Sequence, residues 1–293
     1  MAAGHFLAFA SGRGLCQGPR TWDGIRKGND LHTLLGQEIK AVVDDRSRTA
    51  TVRTRWSDPL IGFADTNDPL FDRLKTVVRP SHTLPADLLP NARSVIVYFL
   101  PFAKEIPRGN RKGHFASTAW AVAYVETNQL IRDINRHLAG ILKSKGYQCA
   151  DLPPTHNFDT TELMSDWSHK HAAYIAGLGT FGRHRLLITD KGCCGRLGSL
   201  ITDAALPPTR RPTAEFCLSK SGAPCRVCIR KCVTGALSDD GFDRRRCYAL
   251  LLENAALHKK EGLADVCGKC STIVPCSFAN PVKRLLATPG ISR

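Results

Sequence analysis

The longest amphipathic pattern in the chain covers residues 119–145, where Leu130, Ile131, Ile134, Leu138, Ile141 and Leu142 recur at helical spacing and Gly146 supplies the stop. Residues 94–100, Ser-Val-Ile-Val-Tyr-Phe-Leu, form instead a continuous β-prone run closed by Pro101, the signature of a buried strand. Leu34, Leu35, Ile39, Val42 and Val43 predict a short helix, and Leu70, Phe71, Leu74 and Val77 place another over residues 68–78. Strand-like runs follow at 147–152, 186–189 and 197–202, with Pro80, Pro85 and Pro90 marking loop. Helix and strand alternate, so residues 31–206 are expected to form an α+β domain, a sheet covered by helices. Residues 1–30, with six glycines and little periodicity, read as a loose leader, and Pro207, Pro208 and Pro212 mark a linker into a last unit at 207–293.

The segment 158–176 reads as helical over most of its length and then breaks at Gly177-Leu-Gly179-Thr-Phe-Gly182. That is a literal G-x-G-x-x-G, but a dinucleotide fingerprint leaves a strand and opens a helix, and here the order is reversed. The glycines are therefore read as a helix stop and a loop that admits close backbone approach. His169 and His171, two apart, point to different faces of a helix, which argues against a metal pair. Asp30-Leu31-His32 with Gly36 nearly spells a corrinoid-binding pattern, one residue out of register, and is read as coincidence.

Composition changes the picture at one place. Eight of the twelve cysteines lie between Cys217 and Cys276. Eight thiolates make two sets of four, the complement of one tetrahedral metal or one iron–sulfur cluster each. Cys225-x2-Cys228-x3-Cys232 matches the tail of the bacterial ferredoxin run, whose last cysteine turns to the neighbouring cluster. Crossed ligation then assigns Cys217, Cys225, Cys228 and Cys276 to one 4Fe-4S cluster and Cys232, Cys247, Cys267 and Cys270 to another. Helical spacing over 243–258 turns Cys247 to the side of Leu250, Leu251 and Asn254. The rival is a pair of zinc sites built on the two C-x2-C pairs, in a protein that binds nucleic acid through its net charge of +15. Cys16, Cys149, Cys193 and Cys194 lack partner spacing and read as structural or incidental.

No apolar run reaches the ~18 residues of a membrane span. The apolar patch Phe6 to Ala10 follows no Lys or Arg, so an export signal is not expected. Cytoplasmic residence suits thiols that must stay reduced. About half of the positive excess falls from Cys217 onward, where Arg226, Arg230, Lys231, Arg244, Arg245 and Arg246 would surround anionic centres and attract acidic partners.

Several motifs together resemble the epoxyqueuosine reductase-like iron–sulfur proteins, relatives of the cobalamin-dependent reductive dehalogenases. They are Leu89-Pro90-Asn-Ala-Arg-Ser-Val-Ile96, Ala176-Gly-Leu-Gly-Thr-Phe-Gly182-Arg-His, Gly198-Ser-Leu-Ile-Thr-Asp203, and the two cysteine groups with Thr234-Gly235-Ala236-Leu237. The resemblance implies a cobalamin-carrying α+β domain and a ferredoxin-like domain with two 4Fe-4S clusters, fed by a ferredoxin- or flavodoxin-type donor. It places Gly177, Gly179, Gly182 and Arg183 beside the cofactor and makes Asp159 the acid that supplies a proton, with Glu162 as competitor. Departures are the seven residues between Cys217 and Cys225, Val233 in place of a proline, and the five residues between Cys270 and Cys276. The tRNA-modifying members hold substrate with a helical-repeat extension that does not follow Cys276 here, which ranks the clusters ahead of a tRNA partner. A ferredoxin-like carrier without its own catalysis is the alternative.

Overall fold

A computed structural model describes residues 22–155 and 157–286, with side chains described between Asp30 and Leu285. Helix α1 (Trp22–Arg48) leads to β1 (Leu60–Asp65), α2 (Leu70–Val77), α3 (Pro85–Leu88), β2 (Ser94–Pro101), α4 (Glu105–Gly109) and α5 (Thr118–Ser144). Then come β3 (Cys149–Asp151), β4 (Phe158–Asp159), β5 (Met164–Ser165), α6 (His169–Ile175), β6 (Gly179–Phe181), β7 (Leu187–Thr189) and β8 (Gly195–Thr202). The cysteine-rich part holds α7 (Val227–Arg230), α8 (Arg244–Leu257) and α9 (Pro281–Leu286).

Strands β1, β2, β8 and β3 form one sheet in that order, antiparallel throughout. Strand β2 is buried along its whole length, because both faces of the sheet are covered. Ile96, Tyr98 and Leu100 face Leu35, Ile39 and Val43 of α1 and Leu130, Ile134 and Leu138 of α5. Val95, Val97 and Phe99 face Phe71 and Leu74 of α2 and Ala172, Ala173 and Ile175 of α6. The period-2 alternation of side chains thus feeds two cores at once. Asn135 fastens α5 to the sheet from inside the first core: its Oδ1 accepts from Tyr98 Oη at 2.8 Å, and its Nδ2 donates to Asp151 Oδ1 at 2.8 Å and to the Ser199 carbonyl at 3.1 Å.

Helix α5 starts and stops as its sequence dictates. The Ser117 hydroxyl accepts from the Trp120 amide, and Gly146, at φ +84°, lets the amides of Gly146 and Tyr147 return to the carbonyls of Lys143 and Leu142.

Four expectations are corrected. Helix α1 begins at Trp22, inside the stretch read as leader, and is longer than the short helix expected; its first turns carry Gly24 and Gly28 and no apolar period. Strand β1 was not foreseen. Segment 158–176 is helical only over His169–Ile175, because Asp159 Oδ1 accepts from the amides of Thr161 and Glu162 and turns the chain into the β4–β5 hairpin. Residues Gly179–Phe181, read as loop, form a strand paired with β7. The proline-rich connection runs along the sheet edge, where Thr209 exchanges bonds with Phe63 through its amide and its hydroxyl. Residue Cys16 lies outside the described residues. Among the described residues no helix is long and apolar enough to cross a membrane.

Candidate metal centres and cavity

No disulfide joins any of the described cysteines. Cys217, Cys225, Cys228 and Cys276 line one small cavity together with His184 and Pro275. Cys232, Cys247, Cys267 and Cys270 line another, of about 300 Å³, with Trp120 and Leu250. Local structure explains the division: Cys228 sits on α7, while Cys232 follows it in a turn, where its Sγ accepts from the Leu237 amide at 3.4 Å. Cys247 enters from the first turn of α8, capped by the Asp243 carboxylate on the Arg246 amide. Among the described residues, no three of these eight sulfurs all lie within 4.8 Å of one another.

As free thiols, Cys228, Cys247, Cys267 and Cys270 resist ionisation. Burial, followed by the fields of Cys276, Cys217 and Cys225, pushes Cys228 up to about 11. Burial and then Cys267 and Cys232 push Cys247 up to about 11, and Cys270 rises further. Cys276 moves the other way, to about 5, because the Cys193 thiol and then His184 donate to it against the opposing effect of burial.

The Cys193 and Cys194 pair is therefore not incidental. Its amides bond the carbonyls of Cys276 and Ser277, and the ligand atoms of Cys193, Cys276 and His184 lie within 4.8 Å of one another. His184 was missed in the sequence, although it directly follows the glycine run and Arg183.

The largest cavity, about 1050 Å³, opens between α6, the β6–β7 turn and the start of α8, and is lined by Lys170, His171, Gly182, Arg183, Arg185, Arg244 and Arg245 among others. A second, of about 380 Å³, shares Lys170, His171 and Arg244 with it, and Lys170 also lines the cavity of Cys232, Cys247, Cys267 and Cys270. Burial, then Arg244 and Arg185, lower the Lys170 pKa. His171, bonded through Nδ1 to Ser168 Oγ at 2.7 Å, is driven down to about 4 by burial and then by Lys170 and His82.

Of the four residues expected beside a cofactor, Gly182 and Arg183 line the largest cavity, whereas Gly177 and Gly179 line none of the cavities described above. Gly177, at φ +77°, ends α6, and a Cβ on Gly179 would collide with the Ile188 carbonyl oxygen of β7. Arg183 is held by Asp239 Oδ1 at 2.8 Å, which ties the glycine run to the cysteine region. Asp159 is half-buried at the hairpin. The amides of Glu162 and Thr161, and then Arg79 at 3.3 Å, hold its carboxyl below the ordinary range. Glu162 lines the largest cavity. His169 bonds Ser199 Oγ and the Pro153 carbonyl, while His32 packs on Phe63 at 4.0 Å between ring centroids.

No protein-family model matches the chain, and no curated protein matches it. Solved structures do. Epoxyqueuosine reductase from Bacillus subtilis, described with its catalytic loop swung out of the active site, superposes with a TM-score of 0.54 at 20% identity, over 84% of this chain and 66% of that one. The enzyme from Streptococcus thermophilus gives 0.54 at 20% identity, over 82% and 65%. A third structure, an epoxyqueuosine reductase with an epoxyqueuosine-modified stem loop of tyrosine tRNA, gives 0.53 at 21% identity, over 84% and 66%.

The chain has the fold of epoxyqueuosine reductase. It spans just under two thirds of the length of those structures.

Features of the second cysteine cavity and the volume of the largest one bear on what each could hold. Lys269, 4% exposed, lies one residue from Cys270 with its ammonium bonded only to the carbonyls of Asn110 and Lys112. An ammonium that has lost part of its hydration is stabilised by an anionic neighbour, and a thiolate on Cys267 would provide one. The Trp120 indole N–H in the same cavity is buried with no partner, and a buried donor of that kind is stabilised by an acceptor such as a cluster sulfur. For a flat macrocycle, the volume of about 1050 Å³ stands at the upper end of ligand-sized cavities.

Proposed function

We propose that the protein is a two-cluster iron–sulfur reductase of the epoxyqueuosine reductase type. Cys217, Cys225, Cys228 and Cys276 would hold one 4Fe-4S cluster and Cys232, Cys247, Cys267 and Cys270 the other, in a ferredoxin-like unit. The observation that carries this reading is the division of eight cysteines, four and four, between two cavities.

The cofactor proposed for the largest cavity is a cobalamin, bordered by Gly182 and Arg183. When bound, a corrinoid supplies a low-potential metal centre that can reduce an organic substrate. The chain's own residues would do the rest. Lys170, Arg185, Arg244 and Arg245 make the wall cationic, which favours an anionic substrate or the phosphates of a nucleic acid. The tRNA stem loop in one structure of this fold supports tRNA as that substrate. His171, neutral at pH 7, adds hydrogen bonding to the wall without charge.

Asp159 Oδ2 is the proposed proton source. In the arrangement described it is an ionised carboxylate on Arg79, so delivering a proton requires the β4–β5 hairpin to leave that contact for drier surroundings. The swung-out catalytic loop of the Bacillus subtilis structure supports such a movement. The proposed setting is cytoplasmic, with a ferredoxin- or flavodoxin-type donor.

Iron, acid-labile sulfide, zinc and corrinoid, measured per chain in one anaerobic preparation, test the reading. Eight irons are expected. Cys228→Ser and Cys270→Ser should each lose four of them and Cys193→Ser none. A colourless protein with two zinc ions overturns the proposal, and cluster-replete protein that takes up no corrinoid reduces it to an electron carrier.

A further inference from the structure

We propose that His184 is a hydrogen-bond donor, beside the Cys193 thiol, that raises the electron affinity of the centre held by Cys217, Cys225, Cys228 and Cys276. This inference rests on the cluster reading above and extends it to a residue outside the cysteine set. The Leu186 amide donates to His184 Nδ1 at 3.1 Å. An amide N–H can only donate, so Nδ1 presents a lone pair and the proton of the neutral ring sits on Nε2. Nε2 lies 3.3 Å from Cys276 Sγ, and the ring is buried, so water does not compete for the sulfur.

The position of the ring is built in. A Cβ on Gly182 would stand 2.5 Å from His184 Cε1 and 2.9 Å from Nδ1. The last glycine of the run thus makes room for the imidazole, a reason that needs no dinucleotide. On the other side the Cys193 amide donates to the Cys276 carbonyl at 3.0 Å, and the Cys194 amide to Ser277 at 3.3 Å. Donor and sulfur are each fixed by backbone, so the contact does not depend on a mobile side chain.

When one electron enters the cluster from an external one-electron donor, negative charge grows on the ligand sulfurs while the proton stays on Nε2. An N–H···S bond strengthens with that charge, so it favours the reduced form and raises the potential. Cys276 is one of the two cysteines, with Cys217, whose spacing departs from the ferredoxin run. His184, from the sheet domain, therefore couples the cluster potential to the packing of the two parts of the chain.

The test is a redox titration of anaerobically purified, cluster-replete full-length protein, followed by electron paramagnetic resonance, for wild type, His184→Ala, His184→Gln and Gly182→Ala. His184→Ala should keep the wild-type iron and sulfide content and lower the midpoint of one cluster by about tenfold in its reduction equilibrium, about 59 mV for one electron. The other midpoint should stay. His184→Gln, which keeps a side-chain N–H, should recover part of the shift, and Gly182→Ala should move the same cluster. Unchanged midpoints in His184→Ala overturn the proposal. So does loss of four irons in both His184 variants, which would make the residue a ligand or a strut. Wild-type protein without iron and sulfide is a different failure, that of the cluster reading itself.

Discussion

Acidification from pH 7 to pH 5 tests the cavity wall at His171. Its imidazole is buried beside Lys170 and His82 and protonates at about 4 in the folded protein, against 6.5 for an unperturbed imidazole. Between those values the unfolded chain binds the proton and the folded one does not, so stability rises with pH through this window and is fully present above 6.5. At pH 5 nearly every unfolded imidazole is charged and only about a tenth of the folded ones, which gives a loss of roughly 2 kcal/mol relative to pH 7. His171→Gln removes the titrating group while leaving an amide that can still meet Ser168. Its urea-unfolding free energy should therefore fall by roughly 2 kcal/mol less than wild type over the same step. His82 is also lowered by burial, and the difference between the two proteins removes its contribution. Equal pH slopes for the two proteins, or an imidazole midpoint near 6.5 by proton magnetic resonance, would refute the argument. The Lys170–His171 wall would then be wetter than its packing indicates.

Gly179→Ala should destabilise the protein by about 2–4 kcal/mol, because the methyl group meets the β7 backbone and opens the β6–β7 pairing. Gly140→Ala, at an exposed position inside α5 with nothing within 4 Å, should instead stabilise by about 0.5–1 kcal/mol; thermal unfolding of the pair reads both signs, and a silent Gly179→Ala would contradict the close-approach account. The Asp159 carboxyl should titrate below 3.8 by carbon-13 resonance and move back up in Arg79→Gln. The Arg79 contact is thus present above the ordinary carboxylate pKa and is lost as pH falls through the lower folded value. A midpoint above 3.8 in wild type would mean that the hairpin spends its time elsewhere.

The sheet-and-helix character, helix α5 and strand β2 were legible because their signals are local. The apolar period of 119–145 and the stop at Gly146 require no knowledge of what the helix meets, and a seven-residue β-prone run ending in proline is a strand wherever it lies. Spacing also suggests two cysteine foursomes, and the two cavities divide the eight residues along the same line. The 158–176 segment was misread because Asp159 has two backbone amides to accept from: capping a helix and turning a hairpin use the same carboxylate.

Contacts between residues distant in the chain were not legible at all. His184 lies 92 residues from the sulfur it faces, and Cys193 and Cys276 meet only because the β7–β8 turn packs on the segment after Cys270. Lys269 reads in the sequence as one more surface cation, yet carbonyls 157 and 159 residues away hold it buried. Patterns along the chain determine which elements form and how many ligands are available. Which donors reach those ligands, and which charges lose their water beside them, was decided only when the sheet domain and the cysteine region closed on each other, because desolvation and hydrogen-bond direction depend on every neighbour in space.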